Sequence, residues 1–285
     1  MKYYNIDYKK YYIIKMKIAL CFILNENNVL NKEKIWCEWI EPNNDIINVY
    51  IFYENITKIK SAWVYERTIP EKYLFPISKY HTVPAYNSLL CYAMTHDKNN
   101  IWFCMMSHSS CPLISPSKFR DLFYKNVNKS IFSWNIADWN PITNKRGNLS
   151  KISKDLWLKN DPYFVLTKRH AHQIVHFMNT ETDMTNLICN GGIANETLFA
   201  VILKLYNELG GENIIDKTSC FADWNRKTSA TNPHLFINAN LDDVNFIKKV
   251  IDKNEYAMFL NNVDSTFPDD ILEYFIYDYC INILL

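Results

Sequence analysis

The chain has 285 residues, 48% of them hydrophobic and 15% aromatic, which is enough to bury a large core and excludes disorder as its main state. Its 31 basic and 30 acidic residues are spread along the chain and leave a net charge of +1, so the electrostatic footprint of a nucleic-acid binder is absent. Eight cysteines, several inside apolar runs and none in a Cys-x-x-Cys pair, disfavour a metal ribbon or a redox motif, and in a cytosolic protein they stay mostly reduced.

Residues 1–15 are basic and tyrosine-rich and read as an extension outside the fold, with 16–285 as one domain. The apolar run Ile18–Leu24 is far shorter than the roughly 20 residues that span a bilayer. With no signal peptide or transmembrane segment visible, the sequence reads as soluble and cytoplasmic. KIALCFILN predicts a buried strand, NVLNKEKIWCEWIE a helix and INVYIFYEN a second strand, the opening of an α/β unit. Residues 62–77, with their aromatics and prolines, read as a strand and loop. AYNSLLCYAMTH places Leu89, Leu90, Tyr92, Ala93 and Met94 at helical spacing, and IWFCMM follows as a strand. This alternation predicts a mostly parallel sheet with helices on both faces and a ligand site at the carboxyl ends of the strands. SHSSCPLISP stands at such an end, where compact polar side chains leave room for a ligand.

Residues 135–154 are poor in hydrophobic residues and read as a surface loop containing Pro141 and Gly147. DPYFVLTKRHAHQIVHFM reads as a strand running into a helix. NETLFAVILKLYNELGG reads as a helix capped by Asn195 and stopped by Gly210 and Gly211. SCFADWNRKTSATNPHLF predicts a strand and extended loop, LDDVNFIKKVIDKN a helix, and YAMFLNNVD is followed by a last helix.

Five glycines and no Gly-x-Gly-x-x-Gly or Walker loop make dinucleotide and P-loop sites unfavourable, and no Asp-x-Asp is present to hold a metal on a diphosphate. His172 and His176 stand four apart, a spacing that puts two metal ligands on one helix face, but the glutamate of HExxH is missing and a plain helix surface or core is the favoured explanation. His108 and Cys111 have the chemistry of a base and a thiol nucleophile, on weak spacing. Glu196 has two readings: a carboxylate stabilised by a helix N-terminus, or a general base at a pocket rim after Gly191 and Gly192.

In their order these segments resemble the core-2/I-branching N-acetylglucosaminyltransferase family, glycosyltransferase family 14, which includes xylosyltransferase-like members. The resemblance covers most of the chain from Met16. IALCFILN resembles the family's first strand, SHSSCPL its Ser-x-Ser-Cys-x-Pro-Leu turn, and YFVLTKRHA its aromatic-Leu-Thr-Arg segment. Ala194, Asn195 and Glu196 are similar to its Pro-Asp-Glu helix start. Asp223, Trp224 and Arg226, followed by NPHLF, match its Asp-Trp-x-Arg strand and Pro-His, and MFLNNVD its terminal Leu-Phe-Ala-Arg-Lys-Phe-Asp.

The resemblance implies a GT-A-type, Rossmann-like domain that transfers a sugar, GlcNAc or xylose, from a UDP-sugar to a saccharide or glycoprotein acceptor, with inversion and without a metal or other cofactor. It implies Glu196 as the catalytic base and Trp224 and Arg169 on the acceptor side. Ser109, Cys111, Arg226, Lys227 and Asn262 fall on the donor side. Where the family carries a basic pair in its terminal motif, this chain has Asn261 and Asn262, which offer hydrogen bonds but no charge; Arg226, Lys227, Lys168 and Arg169 are the candidates to supply it. The family's animal and plant members are usually anchored in the Golgi membrane. Two other readings stand beside this one: a non-catalytic carbohydrate-binding or scaffold protein that retains the fold, motivated by the two asparagines, and a metal hydrolase built on His172 and His176.

Overall fold

Successive residues of an extended chain face opposite ways. In Lys17–Ile23 (β1) that sends Ile18, Leu20 and Phe22 into one core and Ala19, Cys21 and Ile23 into another. Because both sets are apolar, β1 requires cover on both faces. The computed structural model, described for residues 16–144 and 146–277, has that cover. The sheet runs in the order β2 (Ile47–Phe52), β1, β3 (Asn100–Ser107), β8 (Val165–Thr167), β5 (Ser130–Ile131), β9 (Ile214–Ile215). Pairing is parallel except around β8, which runs against both β3 and β5. On the first face pack α1 (Glu33–Ile40), α2 (Ala62–Tyr65), α4 (Pro116–Lys125), α8 (Leu241–Lys253) and α9 (Asp269–Tyr277). On the second lie α3 (Val83–His96), α5 (Lys168–Thr180), α6 (Thr182–Cys189) and α7 (Leu198–Leu205). The expected α/β fold with a mostly parallel, helix-flanked sheet is therefore present. No helix among the described residues is long and apolar enough to cross a membrane.

Two smaller sheets place the residues that matter for function. β4 (Cys111–Pro112), β11 (Phe259–Leu260) and β10 (Cys220–Phe221) form one, with Cys111 opposite Leu260 and Cys220 beside Phe259. It brings the turn after β3, the loop after β10 and the Asn261–Asn262 segment to one end of the molecule. The indole N–H groups of α1 lock this arrangement: Trp36 donates to the Ser110 carbonyl at 2.9 Å and Trp39 to that of Ile114 at 2.7 Å. Both rings are fully buried against Phe22, Phe119 and Phe259. The second small sheet pairs β6 (Trp134–Ile136) with β7 (Leu158–Asn160).

Three expectations need correction. Residues 62–77 contain a short helix instead of a strand: Ser61 caps it by accepting from the Val64 N–H, and only Thr68 bridges to β2. Pro70 and Pro76, which lack N–H donors, are poor partners for a ladder. Within 135–154, residues 135–136 belong to β6 and Leu149 is fully buried, so this segment is more than a surface loop. The helix read as capped by Asn195 begins only at Leu198; Asn195 and Glu196 lie in a preceding 3₁₀ turn, and the helix ends at Leu205, capped by Tyr206 and followed by Asn207, whose φ of 56° is a left-handed conformation asparagine tolerates, before the glycines are reached. The proposed extension 1–15 and Cys280 lie outside the described residues.

Candidate active site

β1, β2 and β3 end together, and β8, running the other way, begins there. Their ends open into a cleft of about 430 Å³ lined by Leu24, Glu26, Glu54, Ser107, Ser109 and Tyr163 among others. Asn261 and Asn262 enter from the end of β11, where the Val263 N–H donates to the Ser109 carbonyl at 2.8 Å. Ser107 and Ser109 donate their hydroxyls to Asn261 Oδ1 at 2.7 and 3.1 Å. These contacts orient the amide and leave its NH₂ donors for other partners. His108, also on the cleft, has its imidazole pushed towards the neutral form by burial.

Glu196 stands where three hollows meet: this cleft, a second of about 550 Å³ and a third of about 310 Å³. Its carboxylate forms an ion pair with Arg146, the two side chains being 19% and 21% exposed. The Arg146 guanidinium lies 4.7 Å from the centre of the Trp139 ring, within cation–π range. Burial lowers the pKa of Arg146, and the nearby charge of Asp138 acts the other way. The backbone completes the clamp: Arg146 bridges to Gly192, and Gly147 N–H donates to the Gly192 carbonyl at 3.0 Å.

Gly147 is required there. Its φ is +61°, and an added Cβ would meet Thr197 Oγ1 at 2.3 Å. Gly147→Ala should therefore destabilise the fold by about 1–3 kcal/mol. By displacing the turn that carries Glu196 it should also slow any reaction that depends on this carboxylate by roughly tenfold or more. Thermal unfolding and initial rates check both effects; an alanine variant unchanged in each would contradict this account of the clamp.

The second hollow is built differently. Trp134, Trp139 and Trp224 line it with Asp138, Asp161, Lys159 and Lys227. Trp224 is 46% exposed, a large apolar ring left open beside Glu196. Asp161 accepts a hydrogen bond from Thr218 at 2.7 Å, and burial raises its carboxyl above the usual range. Lys159 is held by Asp138 at 2.8 Å. Flat aromatic faces beside paired polar groups suit a sugar, whose rings offer C–H surface and hydroxyls.

The structure brings Ser109, Asn262, Glu196, Trp224 and Lys227 to this region, with Lys227 on the Trp224 side and not on the cleft of Ser109. Cys111 does not reach it. In register with Leu260 it points into the core, fully buried, and burial drives its thiol pKa up, which also removes it as a nucleophile for His108. Arg226 is absent from the lining of all three hollows. Its Nε and Nη1 are engaged by Asp223 and Asp243 at 2.6 and 2.8 Å, and Nη2 is buried without a partner. Lys168 and Arg169 follow the end of the reversed strand β8, so they emerge at the opposite end of the sheet's strands. There Lys168 reaches the Lys98 carbonyl and Arg169 pairs with Glu208. His172 and His176 stack on α5 with ring centres 6.2 Å apart, and among the described residues no group of three or more His, Cys, Asp or Glu is arranged to hold a metal.

Sequence reasoning missed Arg146 and Trp139. The available signal was an indole in an otherwise polar segment, ahead of a cation and a glycine. The family model for Core-2/I-Branching enzymes matches residues 48–249, a span that holds Arg146, Glu196 and Trp224 and ends before Asn261. No curated protein matches the chain.

Proposed function

We propose a function from one premise: the chain belongs to the Core-2/I-Branching enzyme family. Membership makes it a glycosyltransferase acting between a sugar donor and a glycan acceptor, and its α/β fold is consistent with a GT-A-like domain. Beyond that, our reading is an inverting transfer of GlcNAc or xylose from a UDP-sugar to a saccharide or glycoprotein acceptor, with no metal needed. The donor occupies the cleft of Ser109 and Asn262, and the acceptor lies on Trp224 in the adjoining hollow.

The observation that carries this reading is the position of Glu196 on the boundary shared by both spaces. In the proposed step a Glu196 oxygen takes the proton of an acceptor hydroxyl while the hydroxyl's own oxygen bonds to the anomeric carbon. The bond from that carbon to the β-phosphate oxygen breaks on the opposite face, and its electron pair leaves with UDP. Arg146 holds one carboxylate oxygen and orients the other; a carboxylate has enough lone pairs for both tasks.

Calorimetric titration with UDP and a panel of UDP-sugars, in buffer containing chelator, tests the donor half. We expect binding under those conditions, followed by transfer to a glycan acceptor. A second reading, a glycan-binding protein that has lost transfer, is favoured by Asn261 and Asn262. Glycan binding with no response to UDP or any UDP-sugar would establish it in place of the first.

A further inference from the structure

Charge limits what can stabilise the leaving group. On the donor reading above, two phosphates enter the cleft and the departing UDP gains negative charge as the anomeric bond breaks, so fixed positive charge is required. The cleft instead presents Glu26, Glu54 and Glu196, all of the wrong sign, while burial favours the neutral form of His108. Asn261 and Asn262 contribute dipoles only. Neighbouring cations are already engaged: Arg146 with Glu196, Arg226 with two aspartates, and Lys32 with Asp269 and backbone carbonyls. Among the described residues lining the cleft, Lys79 is the one lysine or arginine.

We infer that Lys79 is the counter-charge to the leaving diphosphate, taking over the task of the basic pair that Asn261 and Asn262 replace. Its ammonium makes no ion pair with the described residues and lies 5.6 Å from the centre of the Tyr80 ring, on the same wall of the cleft. The strap that bears it is fixed. Ser78 and His81 exchange backbone hydrogen bonds across it, and the Tyr80 carbonyl accepts from the Ile193 N–H at 2.7 Å. Ile193 begins the turn that carries Glu196, so base and counter-charge hang from two segments joined by one short backbone bond. A lysine suits the task because a compact ammonium on a four-carbon stem can follow the phosphate as the bond lengthens.

The test is titration of wild type, Lys79→Ala and Lys79→Arg with UDP by calorimetry and with uridine by ligand-observed NMR, in chelator. Losing a charge-assisted contact should weaken UDP binding roughly ten- to a hundredfold in the alanine variant. Uridine, which has no phosphate, should bind all variants within about twofold, and arginine should restore most of the UDP affinity. Lys72→Ala, an exposed lysine on another turn that does not line the cleft, should bind UDP as wild type does. Lys79→Ala binding UDP with wild-type affinity, or losing uridine to the same extent, would overturn the inference. Failure of the wild-type protein itself to bind UDP would instead bring down the donor reading and this inference with it.

Discussion

Glu196→Gln is expected to reduce sugar transfer by about a thousandfold or more while leaving UDP bound. A positioned general base contributes roughly 10² to 10⁴ to a rate, and an amide of the same shape cannot accept the acceptor's proton. Gln keeps a carbonyl oxygen for the Arg146 guanidinium, so the turn 194–196 and its bridge to Gly192 should persist. Arg146 loses its counter-ion in a half-shielded site, and a modest fall in thermal stability should follow. UDP affinity should be unchanged or somewhat higher, because one of three carboxylates on the proposed donor cleft has been neutralised. The decisive pair of measurements is initial rate with a saturating acceptor and calorimetric UDP affinity on the same preparation. Full transfer by the variant would remove Glu196 from the mechanism; loss of UDP binding together with transfer would make its role one of shaping the donor cleft.

How much of this was legible beforehand follows from the range of the interactions concerned. β1 and α1 declare themselves through local periodicity: alternation in Lys17–Ile23, and an apolar stripe holding Ile35, Trp36 and Trp39. The position of SHSSCPL at a strand end was equally local, and it does border the cleft. Charged residues are another matter. Arg226, Arg169 and Arg146 look alike as letters, and what separates them is a partner distant in the chain. Asp243 neutralises Arg226 from 17 positions away, β8's reversal sends Arg169 to the far end of the strands, and Glu196 meets Arg146 from 50 positions away. Cys111 failed for a simpler reason. Ser109 stands in the turn after β3 and lines the cleft, whereas Cys111, two residues on, has entered β4 opposite Leu260 and is buried in the core.

Arg226 supplies the second large effect, and here stability and binding should separate. Asp223 and Asp243 side chains are 3% and 1% exposed, and the 29% exposed guanidinium between them offsets their charge. Arg226→Ala strands both carboxylates, although His234 still contacts Asp243 at 2.8 Å. Breaking such a pair from one side costs about 3–5 kcal/mol, here roughly a 10 °C fall in Tm. The sign with pH follows from Asp223. Burial works to raise its pKa, but hydrogen bonds and charge from Arg226 outweigh burial and leave it below the usual carboxylate range. In the wild type the pair's stabilisation is therefore present above the ordinary aspartate pKa and is lost as pH falls through the lowered value. In the alanine variant Asp223 keeps the backbone N–H groups of residues 225 and 226 but loses the guanidinium, so burial is opposed less, its carboxylate protonates more readily, and the deficit relative to wild type should shrink between pH 7 and about pH 4. Denaturant unfolding at those two pH values measures this. A donor-binding arginine would behave in the opposite way, losing UDP affinity with Tm intact. The engaged geometry of Arg226 predicts instead that whatever fraction remains folded binds UDP as the wild type does.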